Sequence, residues 1–175
     1  MPDLLVALYN LPPYPAETLA ALEAQENIVL RRAHPFDLSR TRRFVARHFT
    51  ETWADEAQAG FARQPITTFL AIHDKKIVGF ASVDATAKGF FGPTGVDPLY
   101  RGKGIGGALL LVALHALRDS GYGYAIIGAA GPVAFYEKTV GATVIPNSWP
   151  GVYRHLLAPD GEEKQGEKRD VIGKA

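Results

Sequence analysis

Residues 100–110 read YRGKGIGGALL, and the residue types and spacing in this run are those of a phosphate site. Glycine lets backbone approach a ligand closely, and the first amides of a helix aim unpaired N–H groups at an anion. Two spacings overlap here. Gly102, Gly104 and Gly107 fit the dinucleotide fingerprint G-x-G-x-x-G, whereas Arg101, Gly104 and Gly106 fit R-x-x-G-x-G. The glycines alone do not choose between them, because both patterns use the same physics. Context does. A dinucleotide turn follows the first strand of a parallel unit and needs an acid at the end of the next strand. This run lies past mid-chain, and the next apolar run, YAIIGAA, ends without an acid. A Walker-type loop fails as well, since no Gly-Lys-Ser/Thr closes the turn.

The elements that must position this turn are readable in outline. IVLRRAHP reads as a strand, and Asp37 or Ser39 is placed to cap a helix through LSRTRRFVARHF. ETWADEAQAGFARQ reads as a second helix stopped by Pro65. TTFLAIHD and KIVGFASVDA then form a hairpin across Asp74-Lys75-Lys76, and GFFGPTGVDP follows as an irregular or bulged strand. After the glycine turn come the helix GIGGALLLVALHALRDSG, the strand YAIIGAA and the helix GPVAFYEKTVGA, with Pro132 tolerated in its first turn. ATVIP and VYRHLLA are expected to be closing strands. The order predicts a mixed α/β fold with mostly antiparallel strands and one strand–helix–strand crossover. One domain over 1–175 is expected: a front extension at 1–27 (a short strand LLVALYN, a turn at LPPYP, a helix), a core at 28–158 and a polar solvated tail at 159–175.

Composition narrows the function classes. There is no cysteine among the 175 residues, which excludes disulfides, thiolate metal sites and cysteine nucleophiles. The 19 basic and 18 acidic residues nearly cancel, so neither nucleic acid nor a membrane surface is an expected general partner, although a local basic patch stays open. The apolar run from Ile105 to Leu117 is interrupted by His115 and is too short to span a bilayer; it reads as a buried helix. No secretory signal is visible, and a cytoplasmic location is expected. The five histidines lack metal-ligand spacing, so no metal is expected.

TGVDPLYRGKGIGGALL, with V-x-P before R-x-x-G-x-G and a long helix, resembles the central motif of the GCN5-related N-acetyltransferase (GNAT) family. GPVAFYEKTVGA resembles that family's F-Y-x-K-x-x-G signature at a suitable distance. The resemblance runs over Ile28–Ala158 by element order, with its specific residues between Thr94 and Gly141. It implies an acyltransferase of the EC 2.3.1 type, with a mostly antiparallel twisted sheet opened at a splayed parallel pair, taking acetyl-CoA as co-substrate and a small primary amine as acceptor. The same fold used as a CoA-binding or interaction domain without turnover is the alternative. Family domains often pair, so a homodimer is expected, with the front segment covering a partner or the chain's own sheet. Two departures stand out: Ala129 where many members carry asparagine, and Gly141-Ala142 where Gly-Phe is common.

The resemblance also implies roles. Gly104, Ile105, Gly106, Gly107 and Ala108 would offer N–H groups to the pyrophosphate, Gly102 would join them in binding the cofactor, and Arg101 and Lys103 would add positive charge. The Val96 N–H would bind the thioester carbonyl and the developing oxyanion. Tyr136 would protonate the departing thiolate, or else simply cover the helix while Phe135 anchors it. Glu51, Glu56, His73, Asp84 or a water chain would take the proton from the amine. His115 is expected to pack rather than catalyse. Trp53, Tyr14, Phe90, Phe91 and Trp149 are candidates to line the acceptor cleft.

Overall fold

A computed structural model describes residues 1–157, so the expected tail lies outside the described residues. The chain runs β1 (Leu4–Ala7), α1 (Ala16–Glu26), β2 (Ile28–Arg32), α2 (Leu38–His48), α3 (Glu51–Ala59), β3 (Thr68–His73) and β4 (Lys76–Val83). It continues through β5 (Phe90–Val96), α4 (Ile105–Asp119), β6 (Tyr124–Ile127), α5 (Val133–Val140) and β7 (Thr143–Val144). One mixed sheet takes the order β2-β3-β4-β5-β6-β1-β7, and every neighbouring pair is antiparallel except β5 and β6. This is the fold class that the motif order implies.

The period-2 alternation of strands divides the core into two layers. Phe69 and Ala71 of β3 face one side, where α4 covers them with Leu109, Leu110 and Leu114. Leu70 and Phe80 face the other, under Phe44 and Val45 of α2 and Ala54 and Ala57 of α3. Gly79 lets α4 sit close on β4: a Cβ there would come 3.2 Å from Leu109 and 3.3 Å from Ile105. Among the described residues no helix is long and apolar enough to cross a membrane.

The front segment joins the chain's own sheet. β1 lies between β6 and β7, and Leu4, Val6 and Leu8 are fully buried at alternate positions. At about 1.5–3 kcal/mol for each such side chain, β1 and the turn that begins at Leu8 are a sizeable part of the core. Asp3, just before it, donates its N–H to Ser148 Oγ (2.8 Å), and its carboxylate accepts the Ala129 N–H (2.8 Å).

Several local expectations are corrected. VYRHLLA is not a strand; Gly151–Tyr153 form a 3-10 turn, entered at Gly151 with φ 53° and held by Tyr153 stacking on Trp149. The second helix stops at Ala59 and tightens into a 3-10 turn at Gly60–Ala62, where a Cβ on Gly60 would strike Thr68 Oγ1. Neither Asp37 nor Ser39 caps α2 through its side chain. The Asp37 carboxylate instead accepts from the Arg31 guanidinium and the His34 N–H, both at 2.7 Å.

Candidate active site

The site begins where the sheet opens. β5 and β6 pair only at Phe90–Ile126 and Phe91–Ile127, and beyond Gly92 they part. The β4–β5 register shifts between Ala81 and Val83, as a bulged strand requires. Past the bulge, Asp97 donates its N–H to the Val78 carbonyl (2.9 Å). Hydrogen-bonded and non-hydrogen-bonded pairs alternate along an antiparallel ladder. The Val96 amide, one residue earlier and opposite Gly79, therefore points away from β4 and into the gap. Its carbonyl is held by Arg101 Nε at 3.2 Å, which ties the strand end to the turn.

The turn is shaped by left-handed glycines. Gly102 (φ 81°) and Gly104 (φ 83°) adopt a conformation that L side chains rarely accept, and Gly104 is the residue before the first turn of α4. A Cβ on Gly102, Gly104 or Gly107 would meet nothing within 4 Å, so the space over the turn is open. Ile105, Gly106 and Gly107 open the helix and have no intrahelical acceptor for their N–H groups. Ala108, expected among the donors, instead gives its N–H to the Gly104 carbonyl (3.0 Å). A cleft of about 380 Å3 runs from Val96 past Tyr100, Arg101 and these glycines to Pro132 and Phe135. Lys103, expected to add charge here, pairs with Glu26 of α1. Open space over the glycines, unpaired helix-start amides and a guanidinium at the rim are together the features an anion site needs.

α5 presents its aromatic pair in an order the sequence does not reveal. Phe135 is 38% exposed and lines the cleft, whereas Tyr136 is 7% exposed and packs against Phe91, with ring centroids 6.4 Å apart. Phe135 is therefore not the core anchor. Burial alone pushes the Tyr136 phenol above its ordinary pKa, which keeps it protonated as a proton donor must be. Ala129, at the position where many relatives carry asparagine, spends its N–H on Asp3.

The four candidate bases separate cleanly. Glu51 is exposed and near Arg42 (3.8 Å). Asp84 closes its own loop, accepting from the Gly89 N–H (2.7 Å) and the Tyr122 hydroxyl (3.1 Å). His73 Nδ1 is 2.9 Å from the Tyr100 hydroxyl, and its Nε2 lies near Asp74. Glu56 alone is a largely buried carboxylate with no ion-pair partner among the described residues. Burial raises its pKa, and the hydrogen bond from Thr86 only partly opposes that.

The Tyr153 phenol stands near this pair; burial pushes its pKa up to about 12, with the Glu56 and Asp3 carboxylates adding to the rise. Tyr153 is seated at the apex of the parted strands, because a Cβ on Gly128 would collide with its hydroxyl and with the Phe90 ring. Trp149 stacks on it (6.3 Å). Phe49 fills the room left by Gly95 and stacks on Trp53 (5.5 Å). Of the expected acceptor-side aromatics, Trp53, Phe90 and Trp149 fall in this region. Phe91 is in the core, and Tyr14 packs against the buried His115, whose Nε2–H donates to the Pro12 carbonyl (2.9 Å). Asp3, Phe49, Thr86 and Tyr153 are absent from the sequence reading; they lie far apart in the chain and carry no motif.

The parted parallel strands, with a glycine-turned helix at their mouth, define the class: a mixed α/β sheet opened along one edge of β5. The chain belongs to the GNAT family of acetyltransferases, whose family model matches residues 32–142. A GCN5-related glucosamine N-acetyltransferase region of a fungal multi-domain GH3 β-N-acetylglucosaminidase is similar in fold (TM-score 0.66, 17% identity), the match covering 82% of this chain and 19% of that one. A GCN5-related N-acetyltransferase from Sphaerobacter thermophilus is similar at 25% identity and TM-score 0.62, covering 82% and 48%. A GNAT family acetyltransferase from Brucella melitensis, solved in complex with acetyl-CoA, shares the fold at 20% identity and TM-score 0.51, covering 67% and 86%. The chain thus spans less than half the length of the first two. No curated protein matches it in sequence.

Proposed function

We propose that this chain moves an acetyl group from acetyl-CoA to the primary amine of a small acceptor. The observation that carries the reading is a single cleft joining an outward-facing Val96 amide to the free amides of Ile105, Gly106 and Gly107. The diphosphate sits on those amides, where helix dipole and unpaired donors act together, and Arg101 adds a cation at the rim. Binding there directs the acyl end along the gap toward the apex. A neutral amine then attacks the thioester carbonyl. The oxyanion takes the Val96 N–H, Glu56 accepts the amine's proton directly or through Thr86 and water, and the intermediate expels the thiolate. Tyr136 protonates that sulfur. The products are the acetylated amine and free CoA, with no redox change.

A CoA-binding domain without turnover is the second reading, drawing on the burial of Tyr136 behind Phe135. Two measurements test both. Acetyl-CoA raises the melting temperature while NAD does not, since only a ligand of the native state shifts it. Thiol release over a panel of primary amines then shows acceptor-dependent CoA production for the enzyme. A shift with acetyl-CoA and no thiol release with any amine selects the binding domain, and no shift removes both.

A further inference from the structure

A second cleft of about 920 Å3 lies on the opposite side of the Tyr100 turn, between α2 and the β3–β4 hairpin. Arg40, Arg43 and Arg47 enter it from one helix face, at the i, i+3, i+7 spacing that stacks side chains in a row. Lys75 and Lys76 enter from the hairpin opposite. None of these five forms an ion pair with a carboxylate among the described residues. The two acids of the cleft already have partners: Glu51 is near Arg42 (3.8 Å), and Asp97 accepts the Leu99 N–H (3.0 Å) and faces His48 (3.9 Å). The cleft is thus strongly positive in a chain whose formal net charge is only +1.

The hairpin adds an independent sign. Asp74 and Lys75 form its two-residue turn with φ 46° and 64°, a geometry for which the second position favours glycine. A lysine there carries backbone strain and delivers a cation to the cleft mouth.

We propose that this cleft docks a carboxylate-rich polypeptide segment of a partner protein. Charge complementarity favours an anion, and each Arg fork can donate bidentately to a carboxylate. From Arg40 to Arg47 the helix rises about 10 Å, the reach of about three extended residues, so acidic side chains on one short strand can meet successive arginines. The rest of the lining favours peptide over nucleic acid. Leu99, Ile77 and Val78 offer aliphatic contact to alternate side chains of a peptide; of the rings in the lining, Phe44 is only 9% exposed and Tyr100 is tied through its hydroxyl to His73.

The test is fluorescence anisotropy with a labelled eight-residue peptide of alternating Glu and Leu, measured on the full chain with and without saturating acetyl-CoA. Saturable binding that weakens with salt is expected, reduced at least tenfold by the paired substitution Arg43→Glu/Arg47→Glu and unaffected by Arg118→Glu on α4. All three arginines are solvent-facing. An unchanged melting temperature confirms that the paired variant folds, and Arg43→Gln/Arg47→Gln replaces it if it does not. Saturating acetyl-CoA leaves peptide affinity unchanged, which separates this site from the glycine cleft. Four results overturn the proposal: no binding at millimolar peptide, binding indifferent to the paired substitutions, displacement of the peptide by acetyl-CoA, or tighter binding of a twelve-nucleotide single strand at the same residues.

Discussion

The two ends of the gap are built in opposite ways. At the mouth, the donor side is backbone: the Val96 amide, two left-handed glycines and the first amides of α4, all within residues 96–107. At the apex, which the proposed reaction gives to the acceptor, the groups are side chains: Asp3, Glu56, Thr86 and Tyr153 are drawn from four separate segments and meet only in the fold. Backbone donors need glycines at fixed spacing, so they leave a written motif. A side-chain cluster needs only proximity and leaves none. A backbone site changes only with the fold around it, whereas a side-chain cluster can be altered one residue at a time.

Substitutions confined to one end make this contrast testable. Gly107→Asp should have the largest effect on the donor side. Its position borders open space and is the third of α4, where an acid favours the helix dipole by about 0.3–1 kcal/mol. The protein should melt at or above the parent temperature without ligand. The stabilisation of about 2.7 kcal/mol expected at a hundredfold excess of acetyl-CoA over its Kd should vanish, because the new carboxylate repels the diphosphate. A variant that folds and still shows the full shift would detach the glycine turn from the ligand.

Glu56→Gln should leave that shift intact and lower kcat by about 10²-fold or more. It should also remove the acidic limb of the kcat/KM profile, which in the parent rises as pH climbs through the raised pKa of Glu56. Stability should move the other way. A carboxyl whose pKa is raised by folding loses stability as pH climbs from its unfolded value through its folded one. The glutamine variant should therefore melt higher than the parent at pH 8, the difference closing below the ordinary carboxylate range. Parental kcat in this variant would shift the base elsewhere.

Tyr136→Phe keeps the packing on Phe91 and should cost kcat about 10²-fold with KM for acetyl-CoA unchanged. Unaltered turnover would leave the residue a core ring only. The smallest effect expected is Thr50→Ala. It removes the side-chain acceptor of the Trp53 N–H (3.1 Å) at the start of α3 and should cost about 1 kcal/mol in chemical denaturation. Because α3 carries Glu56, kcat should fall more than acetyl-CoA affinity.

The same contrast sets what could be read from the chain. The fold class, the element order and the donor turn were legible because hydrophobic period, hairpin residues and glycine spacing are local. The spacing alone does not show where the free donors end: with Gly104 as the cap, the Ala108 amide is the first to find an intrahelical acceptor. β1 was legible as a strand, but its insertion between β6 and β7 follows from long-range pairing that no local pattern encodes. Glu56 could be named only as one of four. Burial and the absence of a cationic partner distinguish it, and both are properties of the folded neighbourhood.

The central claim is best tested by titrating the 15N-labelled protein with acetyl-CoA and following its amide resonances. The largest shifts are predicted at Val96, Ile105, Gly106 and Gly107, with the Ala108 amide, already bonded to Gly104, moving less. Saturation with those four amides unmoved, or with the principal shifts elsewhere in the sheet, would contradict the account.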